Sequence, residues 1–324
     1  MTALLEIREY IRSFYGRFEI WLTYIGRFLL AFFSLWLIGE ELGYQHALTT
    51  MPILLMAALL CCIMPPGFTV FICAAFILGH LYALAIQYMI VALVIFLLMF
   101  LLYFRFSPGD AAAVILTPIL VFFRIPYVMP IALGLLAGPA SVISMSCGLI
   151  TAYLISYVSG NATALGLSGD VEESAAQFQM LLSELLDNKQ MWVTIAAFAF
   201  TLIIVYILRR LPVDHSWPIA IIAGGVVELI SLLTGDLFFS TNISIVSVLL
   251  GTVIAMGVCF VIMFFTFNLD YLRTEKVQFE DDEYYYYVKA VPKVTVSAPK
   301  RRVKQINRSQ TARGYKNQDI DQDV

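Results

Sequence analysis

Two charged side chains stand deep inside apolar chain. Arg124 lies in the run FRIPYVMP (123–130), and no other charged residue occurs between Ala111 and Ser159. Glu228 lies near the middle of the apolar stretch 218–235, well away from either end. A guanidinium is a permanent cation suited to gripping an anionic group. An ionisable residue at membrane depth is a candidate for function by default. Gly224, Gly225, Glu228, Ser231 and Gly235 share one helical face by three- and four-residue spacing. Small residues on that face allow a neighbouring helix to approach and keep the carboxyl away from lipid. The competing reading makes Glu228 a protonated carboxyl that hydrogen-bonds between helices. As the strong charges in the deep parts of two related segments, Arg124 and Glu228 are expected to approach each other.

Four further residues join them as candidates for substrate binding or coupling. Tyr127 stands beside Arg124 in the proline turn. His80 and Asp236 each lie near the end of an apolar helix, in GHLYA and GDLFF. His80 can change charge near neutral pH, and the alternative makes both residues turn positions in contact with water. Ser144 belongs to a polar stripe with Ser141, Ser146, Cys147 and Thr151. Such a stripe can line a pathway, or its hydroxyls can bond back to their own helix.

The elements that hold these residues are membrane helices. The 324 residues are 60% hydrophobic and 13% charged, against about 25% charged for soluble domains, and mean hydropathy is +0.85. Met51 to Phe104 contains no Asp, Glu, Lys or Arg. The expectation is an all-α polytopic integral membrane protein with about eight to ten membrane helices, re-entrant hairpins included. The N-terminus mixes Glu6, Arg8, Glu9 and Arg12 with apolar residues, unlike a cleavable signal peptide. Residues 1–18 read as an interfacial amphipathic helix that leads into a first span over 19–38. GEELGYQHALTT follows as a loop with two acids.

Three helix–proline turn–helix–helix units come next: A over 51–106, B over 110–159 and C over 191–267. RIPYVMPIA (124–132) in unit B matches RLPVDHSWPIA (210–220) in unit C, with two extra residues before the second proline. Arg8, Arg12, Arg17, Arg105, Arg209, Arg210, Arg273 and Lys276 belong in the cytoplasm by the positive-inside rule. That places both termini inside a plasma membrane and inverts unit B relative to A and C, a plan shared by secondary transporters.

Length then bears on Arg124. At 1.5 Å per residue, 111–123 and 127–138 are each about 20 Å long against about 30 Å of hydrocarbon. A re-entrant hairpin with Arg124 at its tip follows, and the tip must face protein or a wet cavity. The alternative is two short spans across a thinned bilayer. Unit A offers a second hairpin, turning at Pro65–Pro66–Gly67. Helix N-termini at Pro66 and Pro126 would then add positive dipole ends at depth.

Outside the units, 160–190 is an extracytoplasmic loop carrying an amphipathic helix with Val171, Ala175, Phe178, Leu181, Leu182 and Leu185 on one face. Residues 268–296 are β-prone, and a cytoplasmic protein partner can dock at 276–296 by strand addition. Residues 297–324 read as a disordered basic tail in which Lys300, Arg301, Arg302 and Lys304 are drawn to anionic lipid. No recognition fold for nucleic acid accompanies that charge, and an oligomer is compatible with the sequence. The five cysteines lie in apolar runs without metal-ligand spacing. GxxxxGK[ST], HExxH and GxSxG are missing, so neither enzyme activity nor a cofactor is expected. The two functional readings are a permease-like protein moving a small anionic solute through a midplane site, and a non-transporting scaffold for envelope assembly or signalling.

Overall fold

A computed structural model describes residues 2–165, 183–241, 243–266, 275–281 and 283–290. The helices are α1 (Thr2–Leu42), α2 (Met51–Ile63), α3 (Pro66–Leu84), α4 (Ile86–Phe106), α5 (Ala111–Phe122), α6 (Val128–Leu136), α7 (Ser141–Leu165), α8 (Lys189–Arg209), α9 (Ser216–Phe239) and α10 (Ile245–Thr266). Strands β1 (Glu275–Glu280) and β2 (Tyr285–Ala290) follow. Helices α1, α3, α4, α7, α8, α9 and α10 are long and apolar enough to cross a bilayer. Leu97 and Leu101 on α4, Ile222 on α9 and Val253 on α10 are exposed, as lipid-facing residues must be. The chain is an all-α, multi-pass integral membrane protein.

Contacts sort the helix ends into two groups. At the arginine-rich end, Ser141 donates to Asp110 Oδ2 (2.6 Å) and Ser107 Oγ lies 2.6 Å from Ser144 Oγ. Arg209 there donates to the carbonyls of Leu135 and, at 2.7 Å, of Ala137. Arg8 reaches the Phe264 carbonyl (3.4 Å) and lies 5.3 Å from the centre of that ring. At the far end, Gln45 N–H donates to His80 Nδ1 (3.1 Å) and Ser159 donates to Glu41 Oε2 (3.3 Å).

The α5–α6 pair is unlike the rest. At 12 and 9 residues, its helices are about 18 Å and 14 Å long, short of about 30 Å of hydrocarbon. The Asp110–Ser141 and Arg209–Ala137 bonds put the start of α5 and the finish of α6 at the same end. Helix α5 runs parallel to α7, with Gly148 seated on Val114 and Thr117. Helix α6 returns along α8, with Gly134 against Leu202 and Val205. Arg124 ends α5 in the left-handed conformation at φ 60°. Its N–H donates to Val121 O (2.9 Å), and Ile125 N–H donates to Leu120 O (2.9 Å). This is a helix-closing motif that ordinarily uses glycine, and Pro126 then prevents continuation.

Unit A differs from the expected second hairpin. Helix α3 continues through Gly79 to Leu84, 19 residues in all, which is long enough to span. Its N-terminal Gly67 packs against Tyr103 and Phe104 near the finish of α4, so the Pro65–Pro66 turn and the Pro66 helix start sit at the arginine-rich end and not at mid-depth. Gly79 does not stop the helix. It makes room for Leu48, whose side chain occupies the space a Cβ would need. Glu40 and Glu41 belong to the last turn of α1 and not to the loop. Within α1, helical geometry breaks at Phe18 (φ −116°, ψ 20°), at the expected junction between interfacial helix and span.

Strands β1 and β2 pair antiparallel, from Glu275 opposite Ala290 to Glu280 opposite Tyr285. Asp281 organises the turn. Its Oδ1 accepts N–H donors from Glu283 (2.9 Å) and Tyr284 (2.8 Å), and its Oδ2 accepts the Tyr286 hydroxyl (2.9 Å). The amphipathic face at Val171–Leu182 and the tail at 297–324 lie outside the described residues.

Candidate functional site

The α5–α6 turn sends two side chains in different directions. Tyr127 turns toward α8 and α10, where its ring meets Phe198 edge-on at 6.1 Å and covers Gly251. Any side chain at residue 251 would collide with that ring. Arg124 lies on the opposite side, in the wall of a cavity of about 440 Å³ bounded by α1, α3, α4, α5 and α7.

That cavity is mostly hydrocarbon, with Leu37, Val70, Phe96, Met99, Ile115 and Ile119 among its walls. Polar groups are few: Ser34, Cys73, Tyr103, Cys147, Thr151, Ser156 and the two charges Glu41 and Arg124. Ser34 Oγ and Cys73 Sγ lie 3.5 Å apart, and Thr151 donates to its own helix at Cys147 O (2.9 Å). Among the described residues, the Arg124 guanidinium has no hydrogen-bond or ion-pair partner. An exposed cation at the wall of such a cavity, with its donors unused, can bind a carboxylate or phosphate and orient the rest of the ligand along the hydrocarbon.

The chain matches no protein-family model, no curated protein and no solved structure. The chemistry of the site therefore rests on its own residues.

Glu228 occupies the second position expected from sequence. It sits mid-way along α9, is 0% exposed, and neither carboxylate oxygen has a partner among the described residues. Tyr127 and Cys259 are its ionisable neighbours. Gly225 on α9 lies against Met256 on α10, which brings Thr252, one turn away, level with Glu228. The Thr252 hydroxyl is also buried without a partner. Glu228 and Arg124 are not joined. The turn places Tyr127 on the Glu228 side and Arg124 on the cavity side, so the direct charge pair expected from sequence does not form.

The remaining candidates hold the scaffold. His80 is 0% exposed, which excludes a turn position in contact with water, and it anchors the 43–50 loop through Gln45. Since Nδ1 accepts that bond, the proton of the neutral ring lies on Nε2, which has no partner among the described residues. Asp236 closes the far end of α9 by accepting from Thr241 Oγ1 (2.7 Å) and Ile243 N–H (3.1 Å). Ser144 is buried against Ser107 and does not line the cavity. Ser146 and Thr151 bond back to their own helix.

Sequence reasoning missed Glu41, Ser34 and Ser156 as wall residues. An acid beside a glycine ordinarily marks a loop, and that local pattern hides Glu41 in the sequence. The signal that could have found it is its place on the α1 face shared with Ser34, Leu37 and Ile38.

Proposed function

We propose that this is a permease-like protein that takes a small anionic solute into the cavity at the α5–α6 tip. The observation that carries this reading is the Arg124 guanidinium, without a partner among the described residues, in the wall of a mostly apolar cavity. On this reading α5 and α6 form a re-entrant hairpin that enters from the cytoplasm, with both termini cytoplasmic and the arginine-rich end inside. Glu228 serves coupling. Its carboxyl is neutral while buried, and ionising it requires water or a cation to reach it. The seat of Tyr127 must open for that to happen. Arg124 is three residues from Tyr127, so movement at the seat is felt in the cavity.

The test is current or flux in proteoliposomes across a panel of small carboxylates and phosphates, amino acids and phosphoethanolamines included, each with and without a pH gradient. The expected result is activity with at least one member, its loss in Arg124→Gln, loss of pH-gradient drive in Glu228→Gln, and full activity after truncation at Ala290. Activity that survives Arg124→Gln, or a silent wild type, would refute it.

The scaffold reading draws on a different observation, the exposed Tyr284, Tyr285 and Tyr287 of the β-hairpin. These could add to the sheet edge of a cytoplasmic partner, while the basic tail holds anionic lipid. Truncation after Arg273 separates the two readings, since it would abolish a scaffold's activity and spare transport.

A further inference from the structure

The cavity holds two opposite charges near one end, and the second of them restricts the ligand. The depth of each charge follows from the helix contacts. Helix α5 runs parallel to α7, with Asp110 beside Ser141 and Thr117 beside Gly148, which carries Arg124 to about the level of Ile155. Glu41 is fixed at the level of Ser159 by its hydrogen bond. On α1, Phe123 stacks on Phe33 (5.9 Å, 5° between planes), two turns before Glu41. The two charges therefore differ in depth by one to two helical turns, on the order of 5–10 Å. Both line one cavity, and among the described residues they do not pair with each other, so one ligand can touch both.

We infer that the cavity binds a zwitterionic amphiphile, with its acidic group on Arg124, its basic group on Glu41 and its apolar body against Ile38, Ile77, Pro118 and Ile119. This assignment rests on the reading of the cavity as the substrate site. No other charged side chain lines the cavity. A plain anion bound to Arg124 faces the Glu41 carboxylate, and a plain cation on Glu41 faces the guanidinium. At such separations near a protein surface, either mismatch weakens binding on the order of tenfold or more. A molecule carrying both charges satisfies both walls. Ser159 occupies only Oε2 of Glu41, which leaves Oε1 to accept from an ammonium. Two sources have this chemistry, a free apolar amino acid and the phosphoethanolamine end of a single-chain lipid.

Two probe sets that differ only in charge decide the matter. In the first, phenylalanine is compared with 3-phenylpropanoate and 2-phenylethylamine. In the second, dodecylphosphoethanolamine is compared with dodecyl phosphate. Binding is measured by calorimetry on the full chain in nanodiscs of phosphatidylglycerol, which contain no zwitterionic lipid. In at least one set the zwitterion is expected to bind tenfold or more tighter than its singly charged relatives, and that set names the source. Arg124→Gln should weaken the zwitterion tenfold or more. Glu41→Gln should abolish the preference over the anion, while the exposed neighbour variant Glu40→Gln changes nothing. The wild-type comparison stands even where a variant fails to fold. An anion that equals the zwitterion in both sets, an unchanged preference in Glu41→Gln, or no binding by any probe would overturn the inference. Binding as expected without flux would defeat the permease reading alone. Arg124-dependent anion flux indifferent to Glu41 would defeat the zwitterion alone.

Discussion

Arg124 and Arg209 each close an apolar helix that runs into a proline turn, and they serve opposite ends. Arg209 spends its donors on the carbonyls of Leu135 and Ala137, which α6 leaves unsatisfied at its C-terminus. Its neighbour Arg210 lies over the Tyr206 ring at 4.5 Å. Arg124 has no such partner among the described residues and faces a cavity. The local sequences are alike, RIPYVMPIA and RLPVDHSWPIA, and each turn contains a non-glycine residue at positive φ, Arg124 at 60° and His215 at 61°. Flanking length separates them. Helices of 21 and 24 residues carry the second turn to the arginine-rich end, whereas only 12 and 9 residues flank the first one. Depth, and with it the task of an arginine, is set by how much helix stands on either side of the turn.

The strongest way to break this comparison is at Arg209. Arg209→Ala removes two charge-assisted bonds from α6 and should destabilise the protein by about 3 kcal/mol, read from unfolding in detergent. Arg124→Ala should cost under about 0.5 kcal/mol in the same assay, because it breaks no bond. Equal losses would mean that Arg124 is structural. Next in size is the seat of the first turn. Gly251→Ala drives a methyl into the Tyr127 ring and should cost about 2 kcal/mol. Tyr127→Ala in the same chain should recover part of that loss, since the collision then disappears. A smaller effect of opposite sign is expected at Arg124→Gly, where relief of the left-handed backbone raises stability by up to about 1 kcal/mol while ligand binding is lost.

The smallest effect lies in the β-hairpin. The N–H groups of Glu283 and Tyr284, and then the Tyr286 hydroxyl, hold the Asp281 carboxyl below its ordinary range. A depressed carboxylate contributes stability that is complete above its unfolded pKa, about 3.9, and is lost as pH falls through the lower folded value. The Tyr284 amide resonance in protein labelled with ¹⁵N-tyrosine should therefore hold steady to below that pH and then move. Asp281→Asn should flatten the titration.

Much of this architecture could be read in the chain, and the reasons for the exceptions are specific. The uncharged run from Met51 to Phe104 announced membrane helices, and arithmetic on 111–123 and 127–138 announced that the α5–α6 pair is too short to span. The same arithmetic failed in unit A because Gly79 looked like a helix stop. Its missing side chain instead admits Leu48, a contact 31 residues away in sequence that no local rule contains. Pairing Arg124 with Glu228 failed for a related reason. Periodicity assigns a residue to a face of its own helix but does not say which helix that face meets. The turn rotates Arg124 away from α9 and toward α1, and so toward Glu41. The unpartnered state of Glu228 was outside the reach of pattern altogether, because it depends on every helix packed around it.

The depth of the two turns tests the account most directly. Phe123→Cys and Leu211→Cys, each in a background without native cysteines, carry the same fluorophore into bilayers containing lipids with a nitroxide either at the headgroup or deep in the acyl chain. The account predicts that the label at residue 123 is quenched best by the deep nitroxide and the label at residue 211 best by the headgroup nitroxide. Headgroup quenching of both labels to the same extent would contradict it.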